Sequence, residues 1–115
     1  MTILRTDLHA PPGTVWHTAA PAERFRAMFL TLREYNSNGL LTLLEDPACE
    51  PLLAKAVRET LNDASPWWAG EEYQEVCAWL DVLMQACAPT DHYWGPHPDD
   101  PNNHGYWPIK QEPSK

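Results

Sequence analysis

From Glu59 to Asp100 the chain has no lysine and no arginine. Direct binding to a phosphate backbone needs clustered cations, so a nucleic-acid-binding role is excluded as an expectation. No apolar run approaches the roughly 18 residues that cross a bilayer. The first residues, MTILRTDLHAPPG, lack the long apolar core of a secretion signal. Cysteine is scarce: Cys49, Cys77 and Cys87 are odd in number and lack C-x-x-C spacing. A disulfide framework and a zinc knuckle are therefore not expected, and the chain reads as cytoplasmic with reduced thiols. Also missing are a Gly-rich phosphate loop, a G-x-S-x-G elbow and an H-E-x-x-H pair. No catalytic residue and no cofactor is expected.

What is present is acid. The net charge is −8. The cation-free stretch holds Glu59, Asp63, Glu71, Glu72, Glu75, Asp81, Asp91, Asp99 and Asp100, whereas residues 1–58 balance six acids with six bases. A one-signed surface of this kind steers toward a basic partner. The plainer reading of any single acid is solubility.

The 115 residues suit a single domain. Residues 1–20 read as an extended N-terminal arm, broken by APPG at 10–13, with Ile3, Leu4, Val15 and Trp16 available for a short strand or as anchors. Residues 21–88 read as a helical core. Its first helix, about Pro21 to Asn36, has Phe25, Met28, Phe29, Leu32 and Tyr35 at helical spacing. NSNG at 36–39 reads as a stop, with Asn38 or Gly39 in the left-handed conformation. LLTLLEDP at 40–47 adds one or two turns ended by Pro47. A helix from about Ala48 or Pro51 to Asn62 carries Leu53, Val57 and Leu61 on one face, with Leu52 and Ala56 beside them. Ser65-Pro66 is a cap followed by a first-turn proline. The last helix, about Gly70 to Ala88, has the strongest pattern: Tyr73, Val76, Cys77, Leu80, Leu83, Met84 and Cys87. Residues 89–110 form an aromatic segment and 111–115 a tail. The fold class expected is mainly α, a bundle of three to four helices with an aromatic, proline-rich C-terminal loop or short β-hairpin across it.

That aromatic segment, HYWGPHPDDPNNHGYW at 92–107, reads as two short strands joined by an eight-residue loop, since proline interrupts a ladder. Tyr93, Trp94, Tyr106 and Trp107 then bury their rings on the helices. The functional alternative is a small metal-dependent enzyme using His92, His97, Asp99 and His104, with Asp100 nearby; such side chains suit zinc, manganese or iron. No two of these histidines share a helix face. A thiol nucleophile would require Cys77 or Cys87, and both sit on an apolar stripe where a thiol is a small hydrophobe.

Six tryptophans are many for a chain this short. They either fill seams between short helices or anchor a partner. The residues assigned to partner binding are Glu71, Glu72, Glu75 and Asp81, with Trp67, Trp68 and Trp79 as apolar anchors beside them.

YWGPHPDDPNNHGYW resembles a segment of small bacterial and phage proteins without known activity. As a type, a short, acidic, helix-rich chain without a catalytic motif is similar to phage-encoded inhibitors of host defence, including anti-CRISPR proteins. That resemblance implies a non-enzymatic inhibitor that engages a basic protein surface, such as the nucleic-acid groove of a defence complex, by presenting carboxylates where phosphates would lie. A third expectation is a structural subunit of a phage or cellular assembly.

Overall fold

The computed structural model describes residues 9–17, 20–62 and 64–109. The elements in order are β1 (Gly13–His17), α1 (Pro21–Tyr35), α2 (Ser37–Glu45), α3 (Glu50–Glu59), one 3-10 turn (Pro66–Ala69), α4 (Glu71–Ala86), β2 (His92–His97) and β3 (Asp100–Pro108). Ile3, Leu4 and the tail at 111–115 lie outside the described residues.

The helices follow local chemistry. Pro21 opens α1, and the Glu23 carboxylate accepts from the Ala20 backbone N–H at 3.3 Å, tying down the entry to the helix. Phe25, Met28 and Leu32 supply its buried stripe. NSNG does not stop the chain in a left-handed turn. Asn36 ends α1 and at once caps α2, its Oδ1 accepting from Gly39 N–H at 3.2 Å while its Nδ2 donates to the Leu83 carbonyl at 3.2 Å. One buried amide thus joins α1, α2 and α4, and Asn38 and Gly39 are helical. In α3 the buried residues are Leu53 and Ala56. Val57 and Leu61, expected on the core face, are exposed: α3 ends at Glu59 and Leu61 falls beyond it. Ser65 caps the 3-10 turn by accepting from Trp67 N–H at 3.2 Å. The chain then restarts at Gly70 as α4, whose Tyr73, Val76, Leu80 and Met84 are buried.

The expectation of a mainly α bundle is overturned. Four α-helices share the core with a three-stranded antiparallel sheet of order β1-β3-β2, an α+β fold. Of the two alternatives for Val15 and Trp16 in the arm, the short strand is the one present: Gly13–His17 pairs with β3. The eight-residue loop is also corrected. Pro96 pairs with His104 and His97 with Asp100, leaving Pro98 and Asp99 as the turn. Proline is tolerated here because β2 is an edge strand and the register slips beside Pro96, with the extra residues on β3. The strands expected at 92–107 are present as β2 and β3. What local patterning did not reveal is that a segment from the other end of the chain pairs with β3.

Tyr106 of β3 is fully buried and links the sheet to the helices. Its hydroxyl donates to the Met84 carbonyl at 2.8 Å, near the C-terminus of α4. With Phe25, Leu32, Leu53, Val76 and Leu80 it belongs to one continuous core.

Candidate functional site: a cleft between the last helix and the sheet

Strand alternation divides the aromatic segment between two faces. Trp94, His104 and Tyr106 turn toward the helices. Trp94 Nε1 donates to Asp81 Oδ1 at 2.9 Å, and the Trp94 backbone N–H donates to Gln85 Oε1 at 3.1 Å. Tyr93, His97 and Trp107 occupy the outer face, where His97 meets the edge of Trp107 with centroids 4.6 Å apart. Tyr93 Oη donates to the Pro96 carbonyl at 2.9 Å and Trp107 Nε1 to the Gly95 carbonyl at 2.9 Å, so both polar handles are used within the sheet.

On the inner face a cleft of about 510 Å³ opens between α4 and the sheet, lined by Asp81, Val82 and Gln85 of α4 and Trp94, Pro96 and His104 of the strands. Its inner wall continues as a stack. Trp94 and His104 are 5.8 Å apart and tilted, and His104 lies parallel to Trp16 at 4.1 Å. The Arg24 guanidinium sits over the Trp16 ring at 4.6 Å. Burial holds the His104 pKa below its ordinary value; Asp81 pulls it up and Arg24 pushes it down. His104 is a neutral imidazole at neutral pH, and its Nδ1 is buried without a hydrogen-bond partner.

The acids assigned to partner binding are all exposed on α4, but they do not form one cluster. At 100° per residue, Glu71 and Glu75 share the centre of the solvent face, while Glu72 and Asp81 mark its borders about 180° apart. Glu72 is engaged by Trp67 Nε1 at 2.8 Å and by Lys55 Nζ at 3.4 Å. The indole hydrogen bond, followed by the Lys55 charge, holds its carboxyl below the usual range. Asp81 uses one oxygen on Trp94. Glu71 and Glu75 make no hydrogen bond or ion pair among the described residues.

The tryptophans named as anchors are placed differently from one another. Trp68 is in the core, 5% exposed, with Nε1 donating to the Asn62 carbonyl at 3.0 Å and its ring edge-on to Tyr73. Its ring is not a surface feature. Trp67 and Trp79 are half-buried and pack against the core from outside.

The His/Asp quartet of the metal reading is divided. His97 and Asp99 lie at the hairpin turn and line an outer-face hollow of about 460 Å³ with Tyr93 and Trp107. His92 is at the other end of β2, its Nδ1 2.8 Å from the Thr90 carbonyl, while His104 is on the inner face. Asp100 accepts from His17 Nε2 at 2.9 Å when the ring donates there. Among the described residues no group of three or more His, Cys, Asp or Glu is arranged to hold a metal ion. Burial raises the thiol pKa of Cys49, Cys77 and Cys87, which keeps all three protonated at neutral pH.

Sequence reasoning did not pick out Gln85 or Trp94 as site residues. The available signal was the i, i+4 spacing of Asp81 and Gln85, two polar groups on one side of the otherwise apolar second half of α4.

No family model, no curated protein and no solved structure matches the chain. Among the described residues no helix is long and apolar enough to cross a membrane.

Proposed function

We propose that this is a non-enzymatic, cytoplasmic binding protein that uses the solvent face of α4 to engage a basic protein surface. The target in this reading is a nucleic-acid-processing complex whose groove the carboxylates occupy, the mode of action of an anti-CRISPR-like phage inhibitor. The observation that carries the reading is the pair Glu71 and Glu75. They are exposed, one turn apart and without an ion-pair partner among the described residues, and Val82, 69% exposed, extends the same face. Acids in the first turn also favour the helix dipole, which accounts for Glu71 but does little for Glu75 a turn later. Thiols that burial keeps protonated give no activated cysteine nucleophile, which supports binding over thiol chemistry.

The test is capture of partners from a host extract, purification of the captured protein, and measurement of its affinity across salt concentrations. Affinity should fall steadily with added salt. The double variant Glu71→Gln/Glu75→Gln should weaken binding on the order of fivefold at low salt. An affinity that is flat in salt and indifferent to both substitutions overturns the reading.

A further inference from the structure

We propose that the cleft between α4 and the sheet receives an arginine side chain of the basic partner; this inference rests on the binding reading above. Among the described residues the only charged side chain lining the cleft is Asp81. The indole N–H of Trp94 holds Asp81 through Oδ1, leaving Oδ2 without a hydrogen-bond partner among the described residues. One turn along, Gln85 Oε1 is aimed by the Trp94 backbone N–H and retains a second lone pair. Two acceptors from one helix are thus fixed in orientation beside an indole that is itself fixed by the carboxylate.

A guanidinium answers each of these features. It is planar and always charged, offers forked donors to a carboxylate and a neighbouring acceptor, and stacks on aromatic rings. A lysine ammonium offers a point charge and no plane. Anions are disfavoured, because among the described residues no Lys or Arg lines the cleft and the segment that builds most of it, from Glu59 to Asp100, contains none. The molecule already shows this kind of pairing once, in Arg24 over Trp16. The cleft of about 510 Å³ lies within the usual range of ligand sites.

The probes are a blocked Gly-Arg-Gly peptide and its lysine and citrulline counterparts, titrated into the full isotope-labelled chain and followed by NMR. The arginine peptide should shift the Trp94 indole N–H and the Gln85 side-chain amide saturably. The lysine peptide should bind about threefold more weakly or worse, and citrulline, which keeps the plane and loses the charge, should give no saturable shift. Asp81→Asn, which keeps an acceptor for the Trp94 indole and hence the fold, should weaken the arginine peptide about fivefold to tenfold. Gln85→Glu should tighten it about threefold. Equal binding of citrulline or lysine, indifference to Asp81→Asn, or no shift at Trp94 overturns the inference. Glu71→Gln/Glu75→Gln should leave this peptide within about twofold of wild type, since these acids lie outside the cleft. Failure of the peptide arm alone removes the cleft as a receptor. Failure of the salt and Glu71/Glu75 arm alone removes the α4 binding reading.

Discussion

His104 lies flat against Trp16, with ring centroids 4.1 Å apart and planes within 15° of parallel. The two residues are register partners across β1 and β3, at opposite ends of the chain. Closing the sheet around this pair sets a partly buried imidazole between the Trp16 and Trp94 indoles, with the Arg24 guanidinium over the Trp16 ring.

Burial lowers the His104 pKa from an ordinary value of 6.5. The folded state therefore binds this proton less readily than the unfolded state. The stability this represents is complete above pH 6.5 and is lost as pH falls from there through the lower folded value. Urea unfolding should give a lower midpoint at mildly acidic pH than at neutral pH. His104→Gln, which cannot charge, should flatten that difference, and an unchanged pH profile in this variant would contradict the burial-driven shift.

Tyr106 should be the most costly side chain of the sheet to alter. Its hydroxyl donates to the Met84 carbonyl and lies 3.4 Å from Cys87 Sγ. In Tyr106→Phe the Met84 carbonyl keeps the Cys87 N–H at 3.3 Å, so the cost should be about 1 kcal/mol. Tyr106→Ala should cost about 3–5 kcal/mol by leaving a cavity. Burial also pushes the phenols of Tyr73 and Tyr106 far above the usual range. In an alkaline absorbance titration, two of the four tyrosines should ionise only on unfolding.

Gly105 and Gly13 should differ when each is changed to alanine. A Cβ on Gly105 would overlap the Gly13 carbonyl oxygen and crowd Thr14 Cα at 2.9 Å, backbone atoms of the neighbouring strand that have no room to yield. Gly105→Ala should part β1 from β3, seen as lost hydrogen-exchange protection in Gly13–His17 and a red shift of Trp16 fluorescence. A Cβ on Gly13 meets nothing within 4 Å but must sit at φ 112°. Gly13→Ala should therefore cost about 1–2 kcal/mol of backbone strain and leave the sheet paired. Equal outcomes for the two variants would show that strand proximity is not what excludes a side chain at Gly105.

The helices were readable where one face is set by neighbours three and four positions away. Phe25, Met28 and Leu32 of α1, and Tyr73, Val76, Leu80 and Met84 of α4, are buried as their spacing predicts. The pattern failed at Leu61, which falls beyond the end of α3, and at Val57, which lies within α3 but is exposed while Leu53 and Ala56 take the contact. It failed again at Asn36, because a left-handed stop and a cap shared by two helices use the same NSNG letters. The acids were legible as charge. Their separation into Glu71 and Glu75 in the open and Glu72 and Asp81 in partnership was not, since Lys55 and Trp94 come from other elements.

The sequence by itself determined an acidic chain with four helical segments and an aromatic C-terminal region, because charge and helical period are local properties. Only the tertiary structure decided that residues 13–17 complete a sheet, and that His97 and His104 lie on opposite faces of it. It also set Asp81, Gln85 and Trp94 around one cleft. Strand pairing and side-chain facing depend on register between distant segments, and a single strand does not encode which partner it will meet.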